Sequence, residues 1–193
     1  MKGVVQLIDF QRSLDNNKQR SASRSDLSIV TEHASGYNLK KFFSEIHRGD
    51  LGVLQGIQIV QNLITIIKQV HDNGVLHQNL GPESVLIEWD SKQVSADRAQ
   101  LFLLDFSQAF IKSEKDTQMN RSSSTSWYKA PQTNVELFKH TSTIDASSIC
   151  GILLWLLTNI DPRHDQNKLP HQQDNVVDKL DKKIAQAVRH ASM

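Results

Sequence analysis

The sequence predicts an α+β fold that is mainly helical. Three observations carry this. Short runs rich in Val, Ile and Leu, at residues 4–8, 27–31, 85–87 and 101–104, have strand length and composition. Residues 53–70 place apolar side chains at spacings of three and four, the period of a helix. Residues 146–157 are apolar nearly all round, as in a helix buried on all faces.

In chain order, the first two strands are separated by residues 11–26, polar and rich in Ser, Asn and Arg, and so read as a surface connection. The cations Lys18, Arg20 and Arg24 fall there and read as a solvated loop. After the second strand comes Glu32-His33-Ala34-Ser35-Gly36-Tyr37-Asn38-Leu39, then a short amphipathic helix over residues 39–46 that ends near Gly49. In the next helix Val53, Leu54, Ile57, Val60, Leu63, Ile64, Ile67 and Val70 form the stripe, and Ile59 and Ile66 widen it. A turn at Gly74 leads through Val75 and Leu76 into a polar loop and a hairpin of residues 85–87 and 101–104. Residues 112–125 are polar, Ser-rich and without periodicity. Ser142 and Asp145 have capping-box spacing ahead of the apolar helix, which Asn159 and Pro162 end. Asp174 is placed to cap a last helix with Val176, Val177, Leu180, Ile184, Ala187 and Val188 on one stripe.

Length and composition suit one soluble globular domain: 193 residues, 38% hydrophobic and 22% charged. A net charge of +1 gives no field favouring nucleic acid or an anionic membrane. The longest apolar run, residues 149–157, is well short of the ~18 residues a membrane span needs. Cys150 is the sole cysteine, which excludes an intrachain disulfide and fits a reducing compartment. The expected location is intracellular, cytoplasmic or nuclear. The pairs His71 with His77, and His164 with His171, lack compact zinc-ligand spacing.

The chemistry concentrates in residues 70–87, VHDNGVLHQNLGPESVLI. Helix, turn, loop and strand follow one another, and the loop delivers polar side chains. The stretch His77-Gln78-Asn79-Leu80-Gly81-Pro82-Glu83-Ser84 resembles the catalytic loop of eukaryotic protein kinases, His-Arg-Asp-Leu-Lys-Pro-Glu-Asn. Other blocks follow in kinase order: a hinge-like segment at residues 31–34, Asp105-Phe106-Ser107, Trp127-Tyr128-Lys129-Ala130-Pro131-Gln132, and a central helix beginning at Asp145. Together they identify residues 3 to 160 as similar to a kinase C-terminal lobe.

That resemblance implies a remnant of the small lobe over residues 1–33 and a C-terminal lobe over residues 34–193. It makes Thr31 the gatekeeper and Glu32 to Ala34 the segment facing an adenine ring. It also implies that His77 and Phe106 stack, and that Asp145 accepts backbone N–H groups from the loop. The sequence would begin about where the fourth small-lobe strand begins. On that alignment the Gly-rich loop, the phosphate-pairing lysine and the helix carrying its Glu partner are expected to be absent.

The departures from the pattern bear on chemistry. Asn79 stands at the catalytic-base position, and a carboxamide cannot take a hydroxyl proton at neutral pH. Gly81 replaces the loop lysine, and Ser84 replaces the asparagine that holds the second Mg²⁺. Asp105 keeps its metal-binding position, while Ser107 replaces glycine, so the turn is expected to be less mobile. Each lost electrostatic element is worth ~3 kcal/mol, so little phosphoryl transfer should survive.

The expected function is therefore that of a catalytically impaired kinase-like domain, a pseudokinase acting as a protein-binding, scaffolding or regulatory module. No firmly held cofactor is expected; weak ATP and Mg²⁺ binding at Thr31, Glu32, Ala34, Ser84 and Asp105 stays open. The expected partner is another protein, or a second copy, on the exposed remnant of the small lobe, with neither nucleic acid nor membrane. Two alternatives remain: a fragment of an active Ser/Thr kinase whose small lobe comes from other sequence, and a truncated product without stable function. Ser122, Ser123, Ser124 and Thr125, beside Arg121 and Lys129, sit where activation loops are phosphorylated, and an unmodified loop is the alternative.

Overall fold

The computed structural model describes residues 2–14, 25–89, 99–112, 141–162, 168 and 172–191. Residues 120–132, His164 and His171, and the cations of the first loop, lie outside the described residues.

The first two strands pair as an antiparallel hairpin, β1 (Leu7–Leu14) with β2 (Ser25–Thr31), its register shifting between Leu7 and Asp9. The first strand thus starts later than the Val/Leu run at residues 4–8 suggests. Gly3 turns the chain with φ 83° and its carbonyl accepts the Leu103 N–H at 2.8 Å, which leaves Val4 bridged in parallel to Leu103 instead. Leu7, Ile8, Phe10, Ile29 and Val30 are each half or more exposed, so both faces of the hairpin meet solvent.

A short strand β3 (Tyr37–Asn38) leads into α1 (Leu39–Lys41), where the Asn38 side chain caps by accepting the Lys41 N–H at 2.8 Å. A π-turn, Phe42–Ile46, continues it. Gly36 is required just before: its φ is 126°, and a Cβ there would lie 2.5 Å from the Ile87 carbonyl oxygen.

The long helix α2 (Val53–Asp72) matches its predicted span. Gly52 has no side chain to cap with, but Gln55 Oε1 accepts the Gly52 N–H at 3.1 Å, half of a capping box. The stripe is partly re-phased: Ile59, Val60, Leu63, Ile66, Ile67 and Val70 are buried, whereas Leu54 and Ile64 face solvent. β4 (Val75–Leu76) follows, then β5 (Val85–Glu88) and β6 (Gln100–Leu103), the expected hairpin; β3 adds to it in the order β3-β5-β6. β4 pairs with a strand absent from the sequence reading, β7 (Phe110–Ile111).

α3 (Ser142–Thr158) ends at Asn159, which adopts the left-handed conformation at φ 55°. The expected capping box at its start does not form. Thr141 holds the N-cap without a side-chain bond, and Asp145 turns inward to better donors described below. Burial on every face is also corrected: Ile144, Ile149, Ile152, Trp155 and Leu156 are buried, but Ala146 and Cys150 are exposed. α4 (Asp174–Ala191) begins with Asp174 inside the helix, and the preceding Gln173 carbonyl accepts the Val176 and Val177 N–H groups. Only Val176 of its expected stripe is buried, with Val177, Ile184 and Val188 exposed.

One core joins α1, the π-turn, α2, β5, β6 and α3. Phe42, Phe43 and Leu39 from the first helical turns meet Leu63 and Ile59 of α2, Leu80 of the loop, Ile87 and Leu103 of the sheet, and Ile152 and Leu156 of α3. Phe43 packs edge-on to Trp155 with ring centroids 4.5 Å apart. Among the described residues, no helix is long and apolar enough to cross a membrane.

Candidate functional site

The loop between β4 and β5 is held from below by one buried carboxylate. Asp145 lies in the first turn of α3, fully buried, where the helix N-terminus favours negative charge. Its Oδ2 accepts the His77 backbone N–H at 2.9 Å, and its Oδ1 accepts the Gln78 N–H at 2.7 Å. These are the bonds the resemblance implies. A third donor is His71, at the end of α2, whose Nε2 reaches Oδ2 at 2.8 Å. His71 was not singled out by the sequence for this role. Its partner lies 74 residues away, so no local pattern could have signalled it. With three donors around it, Asp145 fixes the loop backbone against two helices at once. Gln78 is held at φ 66°, outside the usual range for a non-glycine residue, and its Nε2 donates to the Thr141 carbonyl at 3.3 Å.

His77 is fully buried and packs edge-on to Phe106, with centroids 4.8 Å apart. Its tautomer follows from its partners. The Leu104 carbonyl 2.9 Å from Nε2 can only accept, so Nε2 carries the proton; the Asn79 N–H 3.3 Å from Nδ1 can only donate, so Nδ1 is bare. Burial pushes its pKa below the ordinary 6.5, against the opposing pull of the Leu104 carbonyl, Asp145 and Asp105. A neutral histidine with both nitrogens satisfied is a structural element and offers no proton for chemistry.

Above this layer stand Asn79 and Asp105. Asn79 Nδ2 donates to Asp105 Oδ2 at 3.2 Å. Asp105 Oδ1 accepts the Ser107 hydroxyl at 2.6 Å and the Ser107 N–H at 3.3 Å. Ser107 leads the causes that hold the Asp105 carboxyl below its ordinary range; His77 and Asn79 add to the shift and partial burial opposes it. The left-handed residue of this turn is Asp105 itself, at φ 59°, so the serine at 107 brings no backbone strain and contributes its hydroxyl instead. That corrects the expectation that replacing glycine there limits the turn through φ. The Asp-x-Ser spacing was a local signal that could have revealed the bond.

Ser84 is buried and its hydroxyl is bonded within its own turn. Its hydroxyl donates to the Gly81 carbonyl at 2.9 Å and accepts the Gly81 N–H at 3.0 Å, closing the turn through Pro82 and Glu83. Lys40 braces the same turn with an exposed ion pair to Glu83 at 2.7 Å. The remaining predicted residues, Thr31, Glu32 and Ala34, lie on the segment linking the hairpin to α1. Thr31 ends β2, paired with Leu7. Glu32 donates its N–H to the Gln6 carbonyl at 2.9 Å, and its carboxylate accepts the Gln6 N–H at 3.0 Å. The structure therefore brings Asn79, Asp105 and Ser107 together; Ser84 sits buried in the same loop, Thr31 and Glu32 serve the hairpin, and Ala34 lies past its last pair.

The fit to Mg²⁺ follows from the donors. A divalent cation of this kind takes oxygen ligands and favours carboxylates with free lone pairs. Here both oxygens of Asp105 already accept hydrogen bonds, Asn79 turns its nitrogen towards Asp105, and Ser84 spends its hydroxyl on Gly81. As arranged, these residues do not fit the cation. Among the described residues, no three His, Cys, Asp or Glu side chains gather as a metal site elsewhere.

A helical lobe topped by small antiparallel sheets, with a loop pinned to a central helix by a buried aspartate, is the architecture of a protein-kinase-like domain. The protein kinase domain family matches residues 1–192, and the chain belongs to that family. Among its relatives, a calcium/calmodulin-dependent protein kinase of Metarhizium anisopliae is 31% identical over 148 residues, 75% of this chain and 36% of the relative. CBL-interacting protein kinase 21 of Oryza sativa is 28% identical over 151 residues, 76% and 26% of the respective chains. Calcium/calmodulin-dependent protein kinase type I of Schizosaccharomyces pombe is 26% identical over 163 residues, 82% and 42%. The chain thus spans between about a quarter and two fifths of these relatives.

Proposed function

We propose that this chain is a catalytically impaired kinase domain that works as a protein-binding, scaffolding or regulatory module inside the cell. One observation carries the reading: at the position where phosphoryl transfer requires a proton acceptor, Asn79 presents a carboxamide hydrogen-bonded to Asp105. A carboxamide orients a hydroxyl but does not deprotonate it. The lysine and asparagine of the family loop are also missing, at Gly81 and Ser84. These losses compound, because each such element contributes about 10²–10³-fold in rate. Tightly held ATP and Mg²⁺ have no part in this reading.

The partner surface is the hairpin β1–β2. Leu7, Ile8, Phe10, Ile29 and Val30 present apolar side chains to solvent, and both strands are free to pair at their outer edges among the described residues. A protein segment or second copy that adds apolar surface there fits this chemistry.

The test is transfer of labelled γ-phosphate to a generic protein substrate and to the chain itself, by the purified wild type and by Asn79→Asp. No incorporation is expected from either, since the variant restores one lost element of several. Robust incorporation by the wild type would overturn the proposal. It would favour a second reading, a piece of an active Ser/Thr kinase, which the names of the relatives and the partial coverage of their length support.

A further inference from the structure

We infer that Asn79 and Ser107 act as a latch that takes the place of a divalent cation on Asp105, closing the loop of residues 77–84 onto residues 104–107 without any metal ion. The inference rests on the assignment of Asn79 made above and adds how the altered site is held shut.

The hydrogen bonds form a continuous ring through these two segments. His77 Nε2 donates to the Leu104 carbonyl, the Asn79 N–H donates to His77 Nδ1, Asn79 Nδ2 donates to Asp105 Oδ2, and Ser107 donates twice to Asp105 Oδ1. Asp105 thus meets three donors, all neutral, arriving from both sides of its carboxylate. Beneath the ring, Phe106 packs on His77, so the turn carrying Asp105 is anchored in the core. The Ser84 hydroxyl, the other oxygen a cation would need, is committed to Gly81 on both its donor and acceptor sides.

Both latch residues depart from the pattern of active kinases in the same physical direction. A carboxylate at position 79 would set two negative charges against each other across a distance now bridged by a 3.2 Å hydrogen bond. At that separation such a pair is relieved by a cation or a proton between its members, or by the loop moving away. The carboxamide at Asn79 removes the second charge and supplies a donor, and the hydroxyl at Ser107 adds another. The segments are then held together by bonds internal to the chain, in the arrangement a scaffold needs at all times.

Thermal unfolding of the full chain, without nucleotide, in EDTA and in Mn²⁺ or Mg²⁺ at matched ionic strength, tests this. The wild-type melting temperature is expected to change by less than about 1 °C between these conditions. Asn79→Asp is expected to melt lower than wild type in EDTA and to regain about 3 °C or more on adding Mn²⁺, the shift a ligand well above its Kd gives a domain of this size. A wild-type chain raised by about 3 °C by the cation would overturn the latch, as would an Asn79→Asp chain indifferent to it. Should Asn79→Asp fail to fold, Ser107→Ala is read by amide hydrogen exchange over residues 105–109. Exchange about ten-fold faster than wild type supports the latch, and unchanged exchange overturns it. Stabilisation of the wild type by Mn²⁺ without phosphate transfer would refute the latch alone; transfer by the wild type would refute the impaired-catalysis reading as well.

Discussion

His77 and Asp145 show how little of this loop depends on charge transfer and how much on fixed hydrogen bonds. His77 is satisfied only as the neutral tautomer: adding a proton at Nδ1 would put two donors, that proton and the Asn79 N–H, against each other. Its pKa is lowered by burial, so below the ordinary value of 6.5 the unfolded chain binds a proton that the folded chain refuses. Stability attributable to His77 is therefore complete above about pH 6.5 and is lost as pH falls from there towards the lowered folded value. Urea midpoints of wild type and His77→Phe between pH 7.5 and 5 check this; the variant should show a shallower decline, since the other histidines titrate in both. Asp105 is also lowered, but it acts in a separate window: its contribution is present above the ordinary 3.8 and is lost only as pH falls through a still lower value. Asp145 has the larger effect. Asp145→Ala strands the buried N–H groups of His77 and Gln78 and removes the partner of His71, which should cost about 3–5 kcal/mol. Chemical denaturation at pH 7.5 measures it, and a loss under about 1 kcal/mol would mean that the loop does not hang on this carboxylate.

The elements divide into those whose local pattern determines them and those set by distant partners. The span of α2 is legible because apolar residues repeat over five turns. Which stripe faces the core is not, because Leu54 and Ile64 are as apolar as Ile59 and Ile66, and only the packing of α3 and the sheet decides between them. The loop frame around Asn79, and the hairpin of β5 with β6, are legible for the same reason as α2: short-range order of residue types. β7 is not, since two residues whose partners lie 34 and 36 positions away carry no periodicity. Nor is the contact of His71 with Asp145, which joins the ends of two helices. The first strand is displaced because pairing of Gly3 and Val4 with Leu103 competes with hairpin formation for the same apolar run. Gly36 lies between these cases, visible as a glycine but not as an indispensable one. At φ 126°, with backbone 2.5 Å from where a Cβ would stand, Gly36→Ala should cost about 1–3 kcal/mol from the conformation alone, and more from the clash with Ile87. Denaturant unfolding measures the loss, which should exceed that of Gly74→Ala, whose Cβ would meet nothing within 4 Å.

Taken as one molecule, the chain pairs a well-packed lobe with a hairpin that leaves Leu7, Ile8, Phe10, Ile29 and Val30 outside. The core runs from Leu39 to Leu156 and, among the described side chains, draws none from β1 or β2. Phe10 and Ile29 are cross-strand partners, 63% and 61% exposed, and together form an apolar ledge beside two open strand edges. Covering such side chains is worth ~25 cal/mol per Å² of apolar surface removed from water, enough to favour association but not to hold the lobe together. The two properties should therefore separate under mutation. Phe10→Ser with Ile29→Ser should abolish concentration-dependent self-association, and binding of a hydrophobic dye, while leaving the urea midpoint of the lobe nearly unchanged. Light scattering across a concentration series and dye fluorescence read the first effect, and denaturation reads the second. If the double variant associated as strongly as the wild type, the contact surface would lie elsewhere. If it lost most of its folding stability, the hairpin would be part of the lobe's core after all, and its exposed side chains could no longer be counted as a surface held ready for a partner.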